Sequence, residues 1–217
     1  MKAGDDLSEN NENREKLIEC AKREFLEKGF AKASLRKITA EAGLTTGAVY
    51  FFFGDKNGLF EGVVGGAVNT LTSLIAEHFA EDVESDFTAY IHHAGDHNDF
   101  AKALVDVIYD NYDVMTILLD RSAGSKYENF VDGMIDRLYG SYIVMAERFA
   151  ENVPGKRVNR QMLHWLTHVQ INAFLHMIQH EKDKKSAMHF ISPVMDLLIQ
   201  AWVGYALEDD VSFKDDI

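Results

Sequence analysis

"AGLTTGAVYFFFGDKNGLF", from Ala42 to Phe60, decides how the rest of the chain is read. It sets Tyr50 beside three consecutive phenylalanines, Phe51 to Phe53, shortly after a Thr45-Thr46-Gly47 run. Four adjacent aromatics are either a buried core turn or a surface built to touch something flat and charged. Thr45 and Asp55 are cap residues, and Gly43 and Gly54 are breakers. The pattern therefore predicts a short helix from Thr45 to about Phe53, with a new helix starting at Asp55.

Upstream, Leu17, Ile18, Ala21, Phe25 and Leu26 form one apolar stripe that Gly29 closes. Ser34 is placed to cap a short helix, "LRKITAEAG", that Gly43 ends. Downstream, Leu59, Phe60, Val63, Val64, Ala67, Val68, Leu71, Leu74, Ile75 and Phe79 hold one face of a long helix. Further helices are expected at 86–95, 98–110, 112–121, 127–151, 158–182 and 187–207, with "ENVPGKR" (151–157) as a linker. No alternating β-branched run appears, so strands are not expected. The fold class is all-α, with three short helices ahead of a long connecting one.

The formal net charge of −13 excludes a protein that coats nucleic acid indiscriminately. The charge is uneven, however. Residues 14–56 carry nine Lys/Arg against six Asp/Glu, while the first thirteen residues carry one Lys against four acids. Such a split suggests that one small module meets an anion. The single cysteine, Cys20, rules out an intramolecular disulfide and fits a reducing compartment. The opening residues are polar and acidic, unlike a leader. A cytoplasmic location is expected, with no membrane partner.

Three short helices and a long one, with a Gly turn ahead of the third, make a helix-turn-helix plan. "SLRKITAEAGLTTGAVYFFFGDK" resembles the tetracycline-repressor (TetR) family of transcriptional regulators, a likeness that extends over residues 14–60. The frame that carries the resemblance is Ala42-Gly43, Gly47, Tyr50, Phe53 and Lys56. It implies a double-stranded DNA operator as partner, read by the N-terminal turn of the third helix in the major groove. The candidate DNA-binding residues are Arg36, Thr45, Thr46, Gly47, Ala48, Tyr50, Phe51 and Lys56. Thr45 and Thr46 offer hydroxyls, and Gly47 and Ala48 allow close approach. Tyr50 and Lys56 are matched to phosphates, and Arg36 to a base or a phosphate. Phe53, Val49 and Ile38 are expected in the core. Phe52 departs from the family, which commonly places His or Tyr there to donate to a phosphate. Thr39, where a small apolar residue is usual, is expected to bond back to the carbonyl four residues earlier.

The resemblance also implies that residues 61–207 form a helical ligand-binding and dimerisation domain. A small-molecule effector there would alter the spacing of the two recognition helices in a homodimer on an inverted repeat. The pairing helices would be 158–182 and 187–207. The first of these carries no Asp, Glu, Lys or Arg between Gln161 and His180, which on its own suggests a helix covered on most sides. Candidate ligand contacts are Tyr109, Tyr112, Met115, Trp165, His168 and Phe174, with simple core as their alternative reading. The acidic ends, 1–13 and 208–217, are expected to be loose.

Gly62, Gly65 and Gly66, inside the long helix, mark either close packing or a hinge. Among the histidines, His92, His93 and His97 with Asp96, and the i, i+4 pairs His164/His168 and His176/His180, have metal-binding spacing. No metal or cofactor is assigned, because most buried histidines at an interface are hydrogen-bonded core residues. Arg121, Lys126 and Tyr127, at a helix junction, suit either an anion or a solvated turn. No phosphate loop, zinc-protease motif or nucleophile elbow is present. Two alternatives to an operator-binding regulator therefore stay open. One is a homodimeric small-molecule-binding protein with weak or lost DNA binding; the other is a metal-dependent enzyme.

Overall fold

The computed structural model describes residues 2–84 and 94–210, with side chains at 8–80 and 99–210. The expected helix at 86–95 lies outside the described residues as far as 93, His92 and His93 included, as do the side chains of Asp96 and His97. Nine helices are described: α1 Lys2–Lys32, α2 Leu35–Glu41, α3 Thr46–Phe53, α4 Lys56–Glu84, α5 Ala94–Asp110, α6 Tyr112–Asp120, α7 Phe130–Glu151, α8 Arg160–His180 and α9 Lys184–Tyr205. Among the described residues the chain is all-α apart from one short ladder. It divides into two compact units, 1–70 with 110–130 and 71–109 with 131–217.

The first unit is built on the apolar stripe of α1. Leu17, Ala21 and Phe25 are fully buried with Ile38 of α2, Val49 of α3, and Leu59, Phe60 and Val64 of α4. Phe60 sets its ring edge-on to Phe25 at 5.0 Å and to Phe30 at 5.3 Å, an arrangement aromatic quadrupoles favour. Gly29 breaks α1 at φ 71°, which a residue with a Cβ rarely adopts. The freed Phe30 N–H then donates to the Arg121 carbonyl at 2.8 Å. That bond helps hold α6 and the turn after it, where Met115, Ile117 and Leu118 are buried. The Lys126 N–H donates to Asn57 Oδ1, and its ammonium pairs with Glu61. Residues 110–130 therefore belong with the helix-turn-helix module, although sequence reading grouped them with the later helices. Lys126 has an intramolecular carboxylate partner in Glu61.

The second unit packs α8 and α9 against each other across a three-residue turn, 181–183. Its core joins Ile143, Met145, Ala146 and Phe149 of α7 to Leu163 and Trp202. Where no strands were expected, β1 (Lys156–Val158) pairs antiparallel with β2 (Leu207–Asp209). Lys156 faces Asp209 and Arg157 faces Glu208 in that register, with ion pairs at 2.8 and 2.9 Å. Three-residue strands carry no visible period, so cross-strand charge was their only sequence signal. The stretch Lys56–Ala80 of α4 is long and apolar enough to cross a bilayer by composition. Its residues 56–70 belong to the first unit, where Leu59, Phe60 and Val64 are fully buried.

Candidate nucleic-acid interface

Ser34 caps α2 by accepting from the Lys37 N–H at 3.3 Å, as its position predicts. Thr39 donates to the Leu35 carbonyl at 2.9 Å, four residues back, which lets a buried hydroxyl sit inside a helix. Gly43 turns the chain at φ 70°, and α3 starts after Thr45. Thr45 holds the N-cap position, yet its hydroxyl makes no capping bond. Gly54 at φ 78° ends α3, and Asp55 Oδ1 accepts from the Gly58 N–H at 2.8 Å to start α4.

At about 100° per residue, Gly47, Tyr50 and Phe51 share one arc of α3, with Val49 on the opposite side. The burial follows that geometry. Val49 is fully buried, whereas Tyr50 is 57% exposed and Phe51 74% exposed. The four aromatics therefore split by face. Phe52 and Phe53 are half-buried, so Phe53 is not the enclosed core residue expected of it. Its ring lies against Gly62, where a Cβ would stand 2.8 Å from Cε1, and under the Arg14 guanidinium at 5.3 Å. Phe52 meets Phe51 edge-on at 4.8 Å, so the outermost ring is held by its neighbour.

The cations are arranged less generously than their number suggests. Lys37 reaches Glu24 at 2.6 Å and Glu27 at 3.4 Å, and Arg23 reaches Glu41 at 2.8 Å. Glu24 foremost, and Glu27 after it, hold the Lys37 ammonium above the usual lysine range. Lys56 stands 4.7 Å over the Phe30 ring, with its ammonium 3.5 Å from the Ala31 carbonyl. Burial there pulls its pKa down, and the half-buried Lys56 ammonium lies against the end of α1. Arg36 is exposed and carries no ion pair among the described residues. Sequence reading missed Glu24, which is 4% exposed and whose Oε1 accepts from the Ser34 N–H at 3.2 Å. Its signal was a carboxylate on the buried stripe of Leu17 and Ala21.

The residues proposed for a ligand are divided between the two units. Tyr112 and Met115 belong to the first unit; Tyr109, Trp165, His168 and Phe174 belong to the second. Met115 is buried, while Trp165 is 59% exposed. The Tyr109 hydroxyl donates to the Glu181 carbonyl at 2.9 Å. His164 and His168 meet at 4.7 Å between ring centres, and His176 and His180 at 4.2 Å. No group of three or more metal-binding side chains gathers among the described residues.

The long α1, the short α2, an outward-facing α3 and a long α4 define a helix-turn-helix module, followed by a second unit that is helical apart from the β1–β2 ladder. Residues 17–63 match the bacterial regulatory proteins of the tetR family. The HTH-type transcriptional repressor BepR of Brucella suis is 41% identical over 56 residues, 26% of this chain and 27% of that one. The HTH-type transcriptional regulator YerO of Bacillus subtilis is 25% identical over 214 residues, covering 93% of this chain and 70% of its own. The fold is also that of the TetR family transcriptional regulator PfmR of Thermus thermophilus. That structure matches with TM-score 0.58 and 19% identity over 85% of this chain and 94% of the other. Over its N-terminal module, residues 17–63, this chain is therefore similar to the regulators of the tetR family.

Proposed function

We propose that the protein is a sequence-specific transcriptional regulator, most simply a repressor, that binds an inverted-repeat operator as a homodimer and is released by a small-molecule effector. The observation that carries the reading is α3. Its outward arc of Gly47, Tyr50 and Phe51 is exposed while Val49 behind it is fully buried. Thr45, Thr46, Gly47, Ala48, Tyr50 and Phe51 meet the major groove in this reading, with Arg36 and Lys56 on the flanks. BepR, similar over this module, is named a transcriptional repressor, which supports the sense of regulation. Residues 14–60 form the DNA-binding domain of this proposal, and 61–207 supply effector binding and dimerisation in the cytoplasm.

Homodimerisation falls to α8 and α9. Their outer positions include Trp165 and Leu197, 59% and 64% exposed, and α8 carries no charge between Gln161 and His180. An exposed, uncharged, partly apolar face is the usual mark of an interface. The test is selection from a pool of random duplexes at moderate salt. Enrichment of an inverted repeat, with half-site centres about 10 bp or a multiple apart, is expected. No enrichment would favour the second reading, a homodimeric small-molecule-binding protein. Phe52 is the observation on that side, since a phenyl ring donates nothing to a phosphate.

A further inference from the structure

We infer that α3 reads the 5-methyl groups of thymines, with Phe51 as the specificity-determining side chain, and not the hydrogen-bonding edges of guanine or adenine. The inference rests on the DNA-binding reading above and names the chemistry of its target. It begins from what α3 lacks. Between Ala42 and Gly54 there is no Arg, Lys, His, Asn, Gln, Asp or Glu. The bidentate pairings that single out guanine need Arg or Lys, those for adenine need Asn or Gln, and cytosine is met by a carboxylate. None of these is available on the helix that would enter the groove.

What α3 does present is apolar. Phe51 is the most exposed of the large hydrophobic side chains among the described residues, at 74%, beside Gly47 on the outward arc. Gly47 has only Thr45 Oγ1 within 4 Å of where a Cβ would stand, so nothing there holds the helix away from a groove floor. The one apolar mark on the major-groove edge of DNA is the thymine methyl. Phe52 fixes the Phe51 ring by an edge-on contact at 4.8 Å, so little ordering remains to be lost on binding. This also gives Phe52 a purpose where a phosphate donor is usual: it buttresses the reading ring. Tyr50, Thr45 and Thr46 add hydroxyls, which bond to several bases and discriminate weakly. Arg36 stands on α2 and serves the backbone or a single flanking guanine.

The experiment uses the full chain and the duplex enriched by selection. Each thymine in a half-site is replaced by deoxyuridine, which removes only the methyl, and binding is measured for the natural chain and for Phe51→Ala. For the natural chain, at least one replacement is expected to weaken binding about fourfold, the worth of one buried methyl-sized group. Phe51→Ala, at an exposed position that leaves the fold intact, is expected to bind thymine and uracil duplexes alike. Equal binding of thymine and uracil duplexes by the natural chain overturns the inference and leaves DNA recognition standing. Discrimination that survives in Phe51→Ala overturns the assignment to Phe51. A selection that enriches no duplex removes the DNA-binding reading itself, so the two failures are distinct.

Discussion

Gly62 and Gly66 stand one helical turn apart on α4 and are there for different reasons. At Gly62 a Cβ would lie 2.8 Å from Cε1 of Phe53, so the glycine admits the aromatic that closes α3. At Gly66 nothing lies within 4 Å. Gly62→Ala should therefore overpack and cost about 1–3 kcal/mol, whereas Gly66→Ala should gain about 0.5–1 kcal/mol from helix propensity. Urea unfolding of the two variants checks the opposite signs. Glu24 is a second single-residue case. Its removal strands the Ser34 N–H and leaves Lys37 with only Glu27. Glu24→Ala is expected to cost about 1–3 kcal/mol in the same assay, while Glu24→Gln, which keeps an acceptor for Ser34, costs less.

Elements here are tied by charge as well as by packing. Lys184 of α9 pairs with Asp106 of α5 at 2.8 Å, and the hydrogen bond holds the Asp106 carboxyl below its ordinary value. A carboxylate depressed in the folded state contributes stability above its unfolded pKa and loses it as pH falls through the folded one. Acid should therefore destabilise the chain below the ordinary aspartate range. Asp106→Asn should remove that part of the dependence, so its melting temperature falls less steeply between neutral pH and acid. Both partners are exposed, which keeps the effect small. The α6 helix shows the same economy. Lys22 of α1 reaches Asp113 at 3.4 Å, and the Gly29 break in α1 offers the Phe30 N–H to Arg121.

For the whole molecule, a net charge of −13 has to be reconciled with DNA as partner. Most cations of the first unit already have carboxylate partners, Lys37 and Arg23 among them. With only Arg36 and Lys56 of each protomer on phosphates, about four neutralised per dimer would give a slope of about −4 for log K against log salt concentration. Titrations of the selected duplex across a salt series measure it, and a slope of about −8 would contradict this count. Dimerisation makes its own prediction. Leu197→Asp places a charge at an exposed apolar position of α9, and sedimentation equilibrium should find that variant monomeric where the natural chain is expected to be a dimer. Retained dimer mass would move the interface elsewhere.

The sequence by itself determined the helix-turn-helix module. Caps at Ser34 and Asp55, breaks at Gly29, Gly43 and Gly54, and the stripe of α1 are local signals that act within a turn or two of chain. Residues on α3 could be assigned to faces for the same reason, since a helical period fixes which side chains share an arc. Tertiary structure decided the rest. Placing 110–130 with the first unit depended on the Arg121 carbonyl meeting an N–H ninety-one residues earlier in the chain. The seat of Lys56 against the end of α1 depended on the Phe30 ring, and the silencing of Lys37 on a carboxylate thirteen positions away. Those partners are distant in sequence and close in space. Local propensity and period carry no record of such pairings, so the free charge of this surface could be read only from the folded chain.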